Sequence, residues 1–306
     1  LHDWGEAVTG DIPAFRKLRS DERIERGSML KLLEKLPDGL REEFSEIYDE
    51  YESLSSAEAR VCRALDKLET LIQHNQADIS TWLPLEYALN MTYGNRETEF
   101  SVYMTELRDR IRQDTRDKIR AEAPEMLTEG RMEIRELSLE DIYTGILDGF
   151  DRRQEIKRRW ICDDGEWKIE KCDIVDDWSE EERRGREEKL RRIISEGGDV
   201  IGAFEDGILR GFACLGGGVW GKSAKYIVLE QLHVSNGYRG KGTGKKLFAA
   251  ACERARSRGG ERLYISANSS LETQGFYRAR GCEYASEVDA EHAAAEPFDV
   301  QMEYIL

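Results

Sequence analysis

Between Leu232 and Lys246 the chain reads Leu-His-Val-Ser-Asn-Gly-Tyr-Arg-Gly-Lys-Gly-Thr-Gly-Lys-Lys, an apolar run that empties into glycines and then into a helix-forming stretch. Glycines allow consecutive backbone N–H groups to converge on one anion, and a helix beginning there adds the positive end of its dipole. That is the chemistry of a phosphate cradle. The spacing Arg239-x-x-Gly242-x-Gly244 lacks both the Gly-Lys-Ser/Thr ending of a P-loop and the G-x-G-x-x-G of a dinucleotide fold. Arg239, Lys241, Lys245 and Lys246 supply positive charge in a chain of 306 residues with a formal charge of −16. That net charge opposes polyanionic surfaces, so neither a nucleic-acid nor a membrane partner is expected. Small or cationic substrates fit better.

At the other end, His2-Asp3-x-x-Glu6 is followed by Asp11. An adjacent imidazole and carboxylate can share one divalent ion such as Mn, Co, Zn or Fe. Six cysteines are scattered with no C-x-x-C pair, so neither a zinc knuckle nor a disulfide framework is indicated, and a reducing cytoplasm is the expected compartment. No run approaches 18 apolar residues, and the N-terminus lacks the basic and apolar regions of a signal peptide. The chain opens with Leu1 rather than Met, which suggests that a longer protein has been cut.

Two territories must position these groups. Residues 15–120 read as helices. Met29, Leu32, Leu33 and Leu36 recur at helical spacing until Pro37-Asp38-Gly39. Ser55, three residues before Glu58, predicts a capping box for a helix over 56–73, with Val61, Leu65, Leu68 and Ile72 as its apolar stripe. A last amphipathic helix is predicted over 101–121, and a linker over 122–131. From Met132 the pattern changes to short β-like runs. Residues 132–137 alternate, 199–204 and 208–213 flank Asp206-Gly207 as a hairpin, and 226–234 is a long strand. A helix through 245–255, a strand over 263–267, a short helix over 272–280 and a strand over 298–305 follow.

With Phe276-Tyr277-x-x-x-Gly281 some thirty residues downstream, the glycine segment resembles the GNAT superfamily of N-acetyltransferases over about 132–306. The resemblance implies an α+β fold with a mixed, mostly antiparallel sheet, and acetyl-CoA as cofactor. Its pyrophosphate would sit on the loop Arg239, Gly240, Lys241, Gly242, Thr243, Gly244 and Lys245, with its pantetheine along Leu232, His233 and Val234. Tyr277 matches the tyrosine that protonates the departing thiolate, a role suited to a phenol that stays protonated at neutral pH. Ser270 stands where the family commonly has Asn, with Asn268 nearby as a substitute cofactor contact, and Cys282 replaces the Phe after Gly281. Glu230 is the candidate base, placed by strand alternation on the face of Leu232 and Val234. His233, a lone imidazole at a strand end, reads as structural. Region 143–198 would set acceptor specificity. Its Trp160, Trp167 and Trp178 with Asp173, Asp176, Asp177 and Glu180 to Glu182 would form an aromatic and acidic wall for a cationic small-molecule or protein amine.

The opening string, with Glu52-Ser-Leu-Ser-Ser-Ala-Glu58-Ala59 and Leu65-Asp66-Lys67-Leu68-Glu69, resembles HD-domain phosphohydrolases of the 5′-deoxynucleotidase-like branch over about 1–120. That implies an all-α bundle in which His2, Asp3 and Asp66 hold a divalent metal. Glu6 and Asp11 would serve the attacking water and the phosphate of a nucleoside monophosphate. The family's first histidine lies upstream of the doublet, so the chain as written is expected to hydrolyse poorly, and His74 is no obvious substitute. The expected organisation is an HD-type domain over 1–121 and an acetyltransferase domain over 132–306. Two alternatives stand beside this bifunctional fusion. One keeps an active acetyltransferase with a helical scaffold or homodimerisation element, and the other is a non-catalytic acyl-CoA or nucleotide sensor.

Overall fold

The structure, a computed structural model, describes residues 4–10, 12, 17, 19–127, 130–163 and 166–306. His2, Asp3 and Asp11 lie outside the described residues. Cα packing divides the chain into one unit of residues 1–127 with 143–148 and 206–208, and another of 128–142, 149–205 and 209–306.

The first unit contains α1 (Glu6–Thr9), α2 (Arg19–Leu33), α3 (Asp38–Ser53), α4 (Ala57–Gln76), α5 (Pro84–Thr92) and α6 (Val102–Glu122). Pro37 caps α3, as its fixed φ and missing donor favour. Leu54 closes the same helix in the left-handed region, at φ 51°. Its N–H reaches back to the carbonyls of Glu50 and Tyr51, and Ser55 N–H bonds Glu50 as well. Ser55 therefore belongs to the end of α3, and the cap of α4 moves on to Ser56, whose hydroxyl accepts from Ala59 N–H at 3.0 Å. The predicted capping box of Ser55 with Glu58 does not form.

The buried face of α4 also differs from the predicted stripe. Ala64, Leu68 and Leu71 pack with Met104 and Ile111 of α6, while Leu65 and Ile72 are 47% and 40% exposed. Both rows have helical spacing. Where α6 lies decides which is covered, and the small Ala64 suits a close approach of the two helices. Met29, Leu33 and Tyr48 form a second cluster between α2 and α3.

The second unit runs β1 (Glu133–Leu137), β2 (Gln154–Asp163), β3 (Glu166–Asp176), α7 (Glu180–Ser195), β4 (Asp199–Glu205), β5 (Ile208–Leu215), β6 (Tyr226–Val234), α8 (Thr243–Ser257), β7 (Arg262–Ala267), α9 (Leu271–Arg278), β8 (Glu283–Tyr284), α10 (Ala290–Ala295) and β9 (Val300–Ile305). Seven strands form one sheet in the order β1-β4-β5-β6-β7-β9-β8, and β2 and β3 pair separately. The sheet is mixed and mostly antiparallel, with β6 and β7 parallel.

Hydrophobic burial is concentrated where α8 covers the sheet. Leu247, Phe248, Ala251 and Ala255 meet Ala213, Leu215, Ile227, Leu229, Leu263 and Ile265. At about 25 cal/mol per Å² of apolar area, a face of this kind is the main stabilising term in the unit. The β2–β3 hairpin was not expected from the sequence. Its strands carry charges on both faces, which hides the alternation that identifies a half-buried strand.

Candidate functional site

β6 carries two local features that together shape a cleft. The first is the limit of its parallel pairing with β7, which extends from Tyr226 with Arg262 to Val228 with Tyr264 and no further. β7 stays paired with β9 through Ala267, so β6 and β7 diverge beyond Val228. The second is a shift in the β5–β6 register: Leu215 faces Leu229, but Cys214 faces Gln231. Glu230 is the extra residue of that bulge. A bulge adds one residue to a strand and so reverses the alternation of side chains beyond it.

The consequence is visible in the packing. Ile227 and Leu229 face the α8 side before the bulge, and Leu232 and Val234 face it afterwards. Glu230 does not share that face. Its carboxylate lies 3.5 Å from Lys189 Nζ on α7 and 3.7 Å from His292 Nε2 on α10. The sequence expectation that Glu230 accompanies Leu232 and Val234 fails, because period-two alternation was carried through a bulge.

Beyond the bulge the backbone faces the opening. The Val234 carbonyl accepts from Arg239 Nε at 2.9 Å rather than from β5. Val234 with Gly211 is thus a non-hydrogen-bonded pair, and so, two residues back, is Leu232 with Ala213. The amides of Leu232 and Val234 consequently point away from β5, towards the side where β7 has left.

After a 3₁₀ turn at Asn236–Tyr238, Gly240 and Gly242 take left-handed angles of 72° and 87° that favour glycine. Gly242 caps α8 with no side-chain partner. Among the described residues, the amides of Gly240 to Lys245 donate no hydrogen bond, and Lys241, Lys245 and Lys246 have no carboxylate at ion-pair distance. A Cβ on Gly242 would meet open space, whereas one on Gly244 would come within 3.2 Å of the Phe276 ring. Arg239 differs from its neighbours. Its guanidinium donates to the carbonyls of Val234, Arg153 and Arg152 at 2.9, 2.9 and 2.7 Å. This clamp fastens the start of the glycine loop to the entry of β2, so Arg239 acts on the loop from behind.

Tyr277 on α9 is 6% exposed, in the apolar cluster beneath α8 and beside the rings of Phe248 and Phe276. Burial pushes its phenol well above the usual range, so it stays protonated at neutral pH. Its hydroxyl has no hydrogen-bond partner among the described residues. Ser270 caps α9, and Asn268 Oδ1 accepts from Ser270 N–H at 2.9 Å, so the Asn268 side chain is engaged in the turn. His233 packs edge-on against Trp178 and near Phe212. Burial, then the nearby guanidiniums of Arg152 and Arg186, hold its pKa well below the ordinary value.

Among the described side chains, which do not include Trp167, the expected acidic and aromatic wall does not assemble. Trp178 is 4% exposed and stacks on Phe150, Asp176 pairs with Arg152, and Asp173 pairs with Lys157. Asp177 accepts from Trp178 N–H, and Glu182 completes the Ser179 capping box. Trp160 lies by Ser269 and Arg278 instead. The sequence reading missed Gln231, whose buried amide has no partner, and His292, held by Asp289 Oδ1 at 3.1 Å. The His292 signal was an Asp three residues before one of only four histidines.

In the first unit, Glu6 binds Lys17 at 2.9 Å, and Lys17 binds Glu25 at 2.7 Å. Asp66 lies 3.2 Å from Lys67 Nζ, and His74 bonds Asn90 and approaches Glu86. Among the described residues no three His, Cys, Asp or Glu side chains cluster as metal ligands. Of the three expected metal ligands, Asp66 is the one among the described residues.

Residues 162–282 match the acetyltransferase (GNAT) family model, and residues 1–108 match the HD domain model. The human 5′-deoxynucleotidase HDDC2 is 36% identical over 78 residues, which are 25% of this chain and 38% of that protein. The fission yeast 5′-deoxynucleotidase hdd1 is 34% identical over 79 residues, 24% of this chain and 40% of that one. The chain thus spans about two fifths of the length of these relatives. Nourseothricin acetyltransferase resembles 57% of the chain over 98% of its own length, at 16% identity and TM-score 0.42. The PaiA N-acetyltransferase of Thermoplasma acidophilum, solved with coenzyme A, resembles 57% over 99% of its length, at 21% identity and TM-score 0.38. No described helix is long and apolar enough to cross a membrane.

Proposed function

We propose that the second unit transfers an acetyl group from acetyl-CoA to an amine. The observation that carries this reading is the run of undonated amides from Gly240 to Lys245 at the mouth of the β6–β7 opening. Those amides, the α8 dipole and Lys241 and Lys245 would hold the pyrophosphate. The edge of β6 at Leu232 and Val234 would pair with the pantetheine as an added strand, and an amide there would stabilise the oxyanion formed on attack. Tyr277 would approach the sulfur from the α8 side and donate a proton to it as the C–S bond breaks. Glu230, on the opposite side, would hold the amine. The bulge is what separates these tasks, since without it Glu230 would share the face of Tyr277. The test is release of free CoA from acetyl-CoA with an amine panel. Amine-dependent release supports the reading, and failure to bind acetyl-CoA rejects it.

A second reading, carried by the identity of the first unit to the nucleotidases, is divalent-metal-dependent hydrolysis of a nucleoside monophosphate. When bound, the metal would lower the pKa of a water for attack on phosphorus. Asp66 is the ligand candidate among the described residues, and Glu6 the acid or base. Weak phosphate release from dAMP with added Mn²⁺ or Co²⁺, lost in Asp66→Asn, would bear this out. Equal rates in the two proteins would reject it.

A further inference from the structure

On α10 one imidazole approaches Glu230, the extra residue of the β6 bulge. Asp289 accepts from the His292 backbone N–H at 2.9 Å, and its Oδ1 lies 3.1 Å from the ring Nδ1. The Tyr264 ring on β7 and the imidazole meet in a T-shaped contact. A carboxylate beside Nδ1 draws the ring proton there and leaves a lone pair on Nε2. That nitrogen faces Glu230 Oε1 at 3.7 Å, while Lys189 approaches the other Glu230 oxygen at 3.5 Å. At 3.7 Å the two atoms are too far apart for a direct hydrogen bond. With the imidazole neutral both are acceptors, and a donor placed between them would bond to both. A primary amine is such a donor, with hydrogens for both.

We infer that His292 is the proton acceptor for the attacking amine, with Asp289 setting its tautomer and Glu230 orienting the nitrogen. The inference rests on the acetyl-transfer reading above. Glu230 is already approached by the Lys189 ammonium, whereas His292 has its Nδ1 held by Asp289 and turns Nε2 towards the gap. The amine lone pair forms the C–N bond to the thioester carbon while its proton passes to His292 Nε2. The C–S bond breaks, and its electron pair takes the proton of Tyr277. Solvent returns a proton to Tyr277 and removes one from His292, so amide and free thiol are the only net products.

Long-range ¹H–¹⁵N spectra of the full chain read the tautomer directly, with the His292 signal assigned from His292→Gln. The expected result is a proton on Nδ1 and a bare Nε2, with Asp289→Asn moving the proton to Nε2. A proton on Nε2 in the unaltered protein overturns the assignment. In turnover with acetyl-CoA and spermidine, tyramine or L-lysine, His292→Gln should lower kcat by about 10²–10³-fold with the KM for acetyl-CoA unchanged. It should also remove the acid limb of the kcat/KM profile, and Glu230→Gln should mainly raise the amine KM. An active His292→Gln protein with the acid limb intact would overturn the role of His292 and leave acetyl transfer standing. Loss of acetyl-CoA binding in the unaltered chain would overturn both.

Discussion

The two units carry chemistry in different ways. In the second unit, the cleft on β6 is made of backbone: amides freed by glycine angles, a strand edge exposed by divergence, and a bulge. In the first, the expected site would be made of side chains from separate segments, and of its five residues only Glu6 and Asp66 are described. A site built from backbone is written in one contiguous stretch of sequence. A site assembled from distant side chains depends on how helices pack, as the displaced stripe of α4 shows.

The largest effect that would sharpen this contrast is on chemistry. Tyr277→Phe should lower turnover by about 10²–10⁴-fold, the range of a positioned acid, with acetyl-CoA affinity nearly unchanged by calorimetry. Full activity would remove Tyr277 from the mechanism. Next in size, Gly242→Leu places a side chain in the open space before the loop amides and at a φ of 87° that disfavours it. Acetyl-CoA should bind at least about tenfold more weakly, equivalent to about 1.4 kcal/mol. Unchanged affinity would mean that the anion does not approach the backbone there.

Two smaller effects test the packing around these sites. Ser56→Ala should destabilise the first unit by about 1 kcal/mol in urea unfolding, and Ser55→Ala by much less, because Ser56 holds the cap. The reverse order would restore the predicted capping box. Asp299, beside β9, has its carboxyl pushed up to about 7 by burial and then by Glu296. A raised carboxyl pKa means that the folded state retains a proton the unfolded chain has lost. Stability contributed by Asp299 is therefore full below about pH 4 and falls as pH rises towards 7. Asp299→Asn should raise Tm by about 2–4 °C at pH 8, corresponding to about 1 kcal/mol after screening, and by little at pH 4. A gain that is the same at both pH values would contradict the shift.

Much of the second unit was legible. The Asp206-Gly207 hairpin, the β6 run and the helix after the glycines follow from turn chemistry and periodicity, and β6 begins and ends at Tyr226 and Val234 as predicted. What sequence could not show was the bulge, since no residue in Ile-Val-Leu-Glu-Gln-Leu marks where the register slips. That single residue reversed the predicted face of Glu230. Arg239 was read as a charge for the anion, but its three carbonyl partners come partly from Arg152 and Arg153, more than 80 residues away. The β2–β3 hairpin was obscured by its charges, and the α10 imidazole by a connection with no strong period of its own.

Hydrogen exchange of the full chain with and without acetyl-CoA tests the central claim most directly, because it reads the backbone amides themselves. The account predicts that saturating acetyl-CoA slows exchange at Gly240 to Lys245 and at Leu232 and Val234, with little change in α4 or α6. Binding that leaves those amides exchanging as fast as in the free protein would contradict it.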